Sequence, residues 1–213
     1  AMWVRGILQD EYGVSASDMT WRTGGLEEAG RGQAVAFGAL AGVTLQPIAE
    51  GETLAGELGS GRIDALISAR PPSTYGADNS IGRLFPDYRA VEEAYYTKTG
   101  LFPIMHLVGI RRSLVEQHPW LPVNVFAAFL EAKRLCTANL EKIGHLFTTL
   151  PWPVAELERA RDLMGEDYWS YGVAENAKEL ETMARYSFEQ GLTARQLTAA
   201  DLFAASTFDL TKI

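Results

Sequence analysis

Cysteine, basic charge and long apolar runs are all scarce in this sequence, and each shortage excludes a class of protein. A single cysteine, Cys136, permits no internal disulfide, and no metal-ligand spacing surrounds it, so we expect no metal site. No apolar run approaches 18 residues, which argues against a membrane-spanning helix. The 19 basic residues against 27 acidic ones leave a net charge of −8, which argues against nucleic acid or an anionic membrane as a partner.

The strong catalytic signatures are also missing from the sequence. It contains no glycine-rich phosphate loop, no GxSxG nucleophile turn, no HExxH pair and no CxxC pair. We therefore expect no bound cofactor, and any chemistry must come from dispersed side chains.

Apolar residues, in contrast, are abundant, at 47% of 213, which is enough for a substantial core. Through the first 70 residues the pattern alternates, with helices predicted at 2–12 and 54–58, strands at 18–25, 43–50 and 62–70, and a flexible Gly- and Ala-rich stretch at 29–42. The segment RIDALISAR (62–70) is the strongest strand candidate, because it is apolar on both faces. This alternation favours an α/β fold with a parallel or mixed sheet.

The second half of the chain has a helical pattern. Apolar spacing, an N-terminal proline and terminal glycines predict helices at about 123–140, 153–164 and 176–190. Thr198 followed by Asp201 resembles a capping box that opens a short last helix.

Residues that could carry chemistry concentrate in the middle third. Residues 60–112 hold seven basic residues against five acidic ones, so a small anion would bind there more readily than elsewhere. The loop SARPPSTYG (68–76) follows the strongest strand candidate, at the edge where open α/β sheets bind ligands. Ser68, Arg70 and Ser73 could grip a carboxylate or a hydroxylated ring there, because a guanidinium holds a carboxylate through two parallel bonds. The alternative is a rigid surface turn stiffened by two prolines.

A histidine interrupts the apolar segment TGLFPIMHLVGIRR (99–112), which we predict to be a buried strand. Because a histidine can gain or lose a proton near neutrality, His106 is a candidate acid or base. The alternative is a core histidine with satisfied ring nitrogens. Arg112 points the same way on a strand but lies about 20 Å further along it, so we interpret Arg112 as structural.

The segment RLFPDYRAVEEAYYTKTG (83–100) supplies the third group of candidates, Arg83, Glu92 and Tyr95. Tyrosines beside acids can form a wall that recognises a phenol. They can equally be the packed face of a helix, and both interpretations stay open at this point.

Taken together, the segments RGILQDEYGV, IDALISARPPS, RLFPDYRAVEEAYY, TGLFPIMH and RYSFEQGL resemble the 4,5-dihydroxyphthalate decarboxylase family, and the resemblance runs almost from end to end. The family is similar in turn to the type II periplasmic-binding-protein fold, in which two α/β lobes flank a ligand cleft. This implies an α/β lobe at residues 1–103, and a crossover strand and C-terminal helices at 104–213 that would pack on a first lobe. Family members extend further at the N-terminus, so we expect this chain to lack that part.

The activity that the resemblance implies is loss of CO₂ from a hydroxylated aromatic dicarboxylate, as from 4,5-dihydroxyphthalate to protocatechuate. Direct cleavage would leave an aryl anion in the ring plane, so the workable route removes the phenolic proton para to the carboxylate and protonates the ipso carbon. Residue type and location assign proton transfer to His106, with Glu92 or Tyr95 as the second catalytic group, and substrate binding to Ser68, Arg70, Ser73 and Arg83.

The expected partner is a small aromatic carboxylate, with no cofactor, no metal, no membrane insertion, a cytoplasmic location and self-association into a homo-oligomer. The alternative function is the substrate-binding protein of an ABC-type transporter for a small anionic or aromatic ligand, which would be periplasmic. A family member with a different hydroxylated aromatic acid as its substrate is a third interpretation.

Overall fold

The computed structural model describes residues 1–30, 42–77, 80–142, 144 and 147–210. Within these residues the chain forms two short parallel strands and eight α-helices, so it is a helix-rich α/β structure with a small sheet. The Gly- and Ala-rich stretch predicted at 29–42 lies almost wholly outside the described residues. None of the described helices is long and apolar enough to cross a membrane.

The chain divides into two compact units. Unit 1 comprises Ala1–Val91 and Met183–Leu197, and unit 2 comprises Glu92–Thr182 and Thr198–Ile213. The domain ranges predicted from the resemblance, 1–103 and 104–213, stay a prediction.

Unit 1 contains the sheet, two complete helices and parts of two others. Its complete elements in chain order are α1 (Met2–Tyr12), a 3-10 turn (Ala16–Asp18), β1 (Thr20–Thr23), β2 (Thr44–Pro47) and α2 (Leu54–Gly59). The strands pair in parallel, with Thr20 opposite Thr44. Local signals mark the helix termini: Gly13 adopts a left-handed φ of 67° after α1, and the Thr53 hydroxyl accepts the Gly56 N–H at 3.0 Å at the start of α2.

The core of unit 1 is centred on Tyr186, a fully buried side chain that is 2% exposed. Its ring packs edge-on against Trp3, with centroids 5.5 Å apart, and lies directly over Gly6 of α1. Its hydroxyl donates to the Asp10 carboxylate at 2.7 Å, and the Arg185 guanidinium donates to the same carboxylate. The Arg185 hydrogen bond holds the pKa of Asp10 below its ordinary value. Tyr186 therefore stabilises the position of α1 through both apolar and polar contacts.

The segment 62–70, predicted as the strongest strand, forms no strand, so that prediction is wrong. A segment that is apolar on both faces needs hydrogen-bonded neighbours on each side, and within the described residues β1 and β2 pair only with each other. The segment is anchored at its start instead, where the Arg62 guanidinium donates to Glu57 and Glu52 at 2.8 Å each.

The remaining helices are α3 (Tyr88–Thr99), α4 (Arg112–Gln117), α5 (Leu121–Leu140), α6 (Pro153–Met164), α7 (Ala177–Glu189) and α8 (Ala199–Leu202), followed by a 3-10 turn (Ala205–Thr207). The helices predicted at 123–140, 153–164 and 176–190 are confirmed to within two residues at each end. Gly165 follows α6 with a φ of 88°, and the Thr198 N–H donates to Asp201 at 2.8 Å in the expected capping box.

The prediction of a buried strand over 99–112 is also wrong. Residues 100–111 belong to no helix or strand, and Met105, Leu107 and Val108 are between 56% and 59% exposed. Alternating apolar residues become a strand only when another strand supplies hydrogen bonds, and unit 2 has none among its described residues. The segment instead forms part of a cavity wall.

Candidate functional site

A cavity of about 480 Å³ lies within unit 2, a volume typical of small-molecule sites. The segment after α3, the first half of α5, the loop between α6 and α7, and α8 all contribute to its walls. Most of its lining is apolar or aromatic, and the large side chains include Phe102, Met105, Phe126, Phe129, Trp169 and Phe203. Such a surface suits the flat face of a ring.

His106 lines this cavity and is exposed. Its imidazole has no hydrogen bond or ion pair within the described part of the chain. Both ring nitrogens are therefore available to a ligand in the cavity. The alternative of a buried, satisfied histidine does not describe this side chain, and its acid/base role stays a prediction.

The segment that carries His106 is held at its start by the first turn of α7. The Phe102 N–H donates to Glu179 Oε1 at 3.5 Å, and the Lys178 ammonium donates to the Thr99 carbonyl. The Phe102 ring packs edge-on against Trp169, with centroids 5.5 Å apart. These contacts place Phe102 on the wall formed by the loop after α6.

Lys133 of α5 stabilises the loop between α6 and α7. Its ammonium donates to the Asp167 carboxylate and to the Trp169 carbonyl, the latter at 2.8 Å, and lies 4.9 Å from the centre of the Tyr171 ring. The Lys133 and Asp167 side chains are only 17% and 20% exposed. The pair is therefore screened less than a surface pair, and it fixes three residues of the cavity wall.

The end of the same loop is held by Asn176. Its amide nitrogen donates to the Gly172 carbonyl at 2.8 Å and to the Ser170 carbonyl at 3.3 Å, while its oxygen accepts the Ser170 hydroxyl at 3.0 Å. Gly172 has a φ of 109°, and a Cβ there would lie 2.5 Å from the Leu210 carbonyl oxygen. The wall therefore requires glycine at this position.

The charges on the cavity lining are mainly acidic. Asp167 and Glu179 supply carboxylates, His106 supplies an imidazole, and the described lining includes no lysine or arginine. Across the parts of the chain that the structure describes, no group of three or more His, Cys, Asp or Glu side chains could hold a metal ion. The lining therefore offers hydrogen-bond acceptors and an aromatic surface.

The other two predicted catalytic residues, Glu92 and Tyr95, lie on α3. Glu92 is exposed, and its neighbour Glu93 binds the Arg159 guanidinium through two bonds of 2.6 and 2.8 Å. Tyr96 lines the cavity, whereas Tyr95 and Glu92 are not among its described lining residues. The structure thus brings His106, but neither of these two, to the cavity.

The predicted binding loop 68–76 lies in unit 1. The Ser73 N–H and hydroxyl both donate to the Glu27 carboxylate, at 2.7 and 2.8 Å. The Ser68 hydroxyl accepts the Arg70 N–H at 3.3 Å, and the Arg70 guanidinium is exposed. Ser73 therefore uses both donors to fasten its own loop, while the Arg70 side chain is accessible to solvent.

Arg83 also lies in unit 1, between two aromatic rings. Its guanidinium carbon is 4.8 Å from the centre of the Tyr88 ring and 5.5 Å from that of Tyr75. Such contacts orient a guanidinium without neutralising its charge.

Sequence reasoning missed Tyr96, Asp167 and Trp169, which line the cavity, and Lys133, which bonds to Asp167 and Trp169 without lining the cavity itself. A signal for Lys133 was present, because it follows Phe126 by seven residues and so shares the apolar face of α5. A charged residue on such a face indicates a specific partner inside the structure.

Comparison with known proteins shows which sequences this chain resembles. No family model matches the sequence. A protein from Comamonas testosteroni named 4,5-dihydroxyphthalate decarboxylase is 38% identical over 213 residues, which is 100% of this chain and 64% of that protein. Along its whole length, the chain is therefore similar to a 4,5-dihydroxyphthalate decarboxylase.

Another protein of that name, from Pseudomonas putida, is 36% identical over 96 residues, which is 45% of this chain and 37% of that protein. The chain spans just under two thirds of the length of the Comamonas decarboxylase. The family resemblance seen in the sequence segments is thereby confirmed.

Proposed function

We propose that this chain is the greater part of a carboxy-lyase that removes CO₂, without oxidation, from a hydroxylated aromatic dicarboxylate of the 4,5-dihydroxyphthalate type. The observation that carries this proposal is 38% identity, along the whole chain, to a protein named for that activity. Both relatives are named decarboxylases, so a transport receptor is not favoured. The proposal includes a cytoplasmic location, self-association and the finer fold assignment to the type II periplasmic-binding-protein class.

The proposed reaction needs two positioned proton transfers. A base takes the phenolic proton para to the departing carboxylate, and the electron density moves onto the ipso carbon. An acid then gives that carbon a proton, the bond to the carboxylate breaks, the ring regains its aromatic electrons and CO₂ leaves. Each transfer by a positioned side chain contributes about 10²–10⁴ in rate.

His106 is proposed as one of the two proton-transfer groups. Its support is its position on the lining of a cavity large enough for a single ring, with both ring nitrogens available. The second group, Glu92 or Tyr95, and the carboxylate-binding role of Arg70 with Ser68, Ser73 and Arg83 remain proposals from residue type.

Turnover of 4,5-dihydroxyphthalate, followed by CO₂ release and by chromatography of the aromatic product, tests the proposal. His106→Ala should lower the rate by about 10²–10⁴-fold, the contribution of one positioned proton transfer. The matched control is His118→Ala, because His118 is exposed beside Trp120, with ring centroids 5.7 Å apart, and does not line the cavity.

Two results would contradict the proposal at different points. Near-normal turnover in the His106→Ala variant would remove His106 from the mechanism. Binding of 4,5-dihydroxyphthalate by the wild-type chain without release of CO₂ would instead favour a receptor.

A further inference from the structure

We propose that the cavity of unit 2 receives the hydroxyl-bearing edge of the substrate ring, and that the two carboxylates point away from it. This inference rests on the proposed function, and it adds an orientation for the substrate in that site. It follows from the charges of the cavity lining.

The lining is a poor partner for carboxylates. It holds the carboxylates of Asp167 and Glu179, and its described residues include no lysine or arginine. The charge of Asp167 is offset by Lys133, whereas Glu179 accepts, within the described residues, only the Phe102 N–H at 3.5 Å. A substrate carboxylate beside Glu179 would therefore meet a like charge, which is unfavourable.

The same lining suits adjacent phenolic hydroxyls. A hydroxyl donates to a carboxylate in a charge-assisted hydrogen bond, which is shorter and stronger than a bond between neutral groups. The edge-on pair of Phe102 and Trp169 and the half-exposed Phe129 offer apolar surface for the ring itself. The cavity therefore offers acceptors for the two hydroxyls of a catechol and apolar surface for its ring.

This orientation also determines which of the two proton transfers His106 performs. With the hydroxyl edge inside the cavity, the imidazole faces a phenol and acts as the base: the O–H bond breaks, an N–H bond forms, and the oxygen electron pair delocalises to the para carbon. The carbon that loses CO₂ lies across the ring, so its proton comes from a group outside this cavity.

Isothermal titration calorimetry with three probes tests the orientation: catechol, phthalate and 4,5-dihydroxyphthalate. Catechol should bind the wild-type chain, and phthalate should bind about tenfold more weakly or not at all, because a charge-assisted hydrogen bond is replaced by a repulsion. Glu179→Gln keeps the shape of the side chain and removes its charge. It should weaken catechol binding about fivefold and strengthen phthalate binding.

The matched control is Glu181→Gln, since Glu181 is exposed on the same helix and does not line the cavity. It should change neither affinity. Equal binding of phthalate and catechol, binding of neither, or Glu179→Gln affinities equal to those of the wild type would each overturn the orientation.

Different results would refute the proposed function and the proposed substrate orientation. Release of CO₂ from 4,5-dihydroxyphthalate together with a preference for phthalate would leave the function standing and refute the orientation. Selective binding of catechol, reversed by Glu179→Gln, without any release of CO₂ would do the opposite.

Discussion

Replacing Gly6 with alanine should destabilise unit 1, because the added methyl group would occupy space that the Tyr186 ring fills. A Cβ built on Gly6 would lie closer than 3.0 Å to three atoms of that ring, Cγ, Cδ2 and Cε2. Carbon atoms in contact normally lie about 3.5–4.0 Å apart, so the ring or α1 would have to move by more than about half an ångström.

The ring has little freedom to move. It is held edge-on by Trp3 at 5.5 Å, its hydroxyl is bonded to Asp10 at 2.7 Å, and the side chain is fully buried. Overpacking of this kind costs about 1–3 kcal/mol, whereas the higher helix propensity of alanine recovers about 1 kcal/mol. Because the added methyl group would overlap three ring atoms, the cost lies at the upper end of that range, and we expect the free energy of unfolding to fall by about 1–2 kcal/mol.

Urea unfolding followed by far-ultraviolet circular dichroism measures this loss. The control is Gln9→Ala on the exposed face of the same helix, which should leave the midpoint close to that of the wild-type chain. A Gly6→Ala variant as stable as the wild type, or more stable, would show that helix propensity outweighs the contact. It would refute the packing of Tyr186 over α1.

Acidification should lower the stability of unit 1 through Asp10, because the Arg185 hydrogen bond holds its folded-state pKa below the unfolded value. The stabilisation by Asp10 is present above the unfolded pKa of about 3.9 and is lost as the pH falls through the folded pKa. The Asp10→Asn variant lacks this stabilisation at every pH. Its urea midpoints at about pH 6 and pH 3 should therefore differ less than those of the wild-type chain. An undiminished difference would contradict this assignment. Gly172→Ala should cost about 1–3 kcal/mol, because a Cβ there would lie 2.5 Å from the Leu210 carbonyl oxygen at a φ of 109°. Gly109→Ala, whose Cβ would meet no atom within 4 Å, is the control, and equal melting temperatures of the two variants would argue against the strained loop.

Helix ends were predictable because their signals are local. Gly13 and Gly165 stop α1 and α6 with positive φ, and Thr198 caps α8 through its own neighbour Asp201. Each of these interactions joins residues within a few positions of one another, so the sequence contains both partners together.

Whether the segments 62–70 and 99–112 form strands was not predictable in the same way. Both segments have the apolar pattern of a strand, yet a strand exists only where a second segment supplies its hydrogen bonds. Within the described residues, the pairing of β1 with β2 is the one such arrangement. The apolar pattern of 99–112 instead contributes to the cavity.

The residues of the candidate site also divide into those that the sequence could identify and those that depend on tertiary structure. His106 could be selected from its residue type, because few side chains transfer protons near neutral pH. Tyr96 could not be separated from Tyr95, since the rotation of α3 decides which of the two faces the cavity. The role of Lys133 depends on Asp167, which is 34 positions further along the chain.

The sequence alone determined the negative charge, the helix termini, the resemblance to 4,5-dihydroxyphthalate decarboxylases and the short list of proton-transfer candidates, because these depend on composition or on neighbouring residues. Tertiary structure decided which apolar segments became strands, which side chains line the cavity, and that its described lining carries carboxylates with no lysine or arginine. These properties depend on segments distant in the chain, which come together only when burial of apolar surface repays the entropy of ordering them.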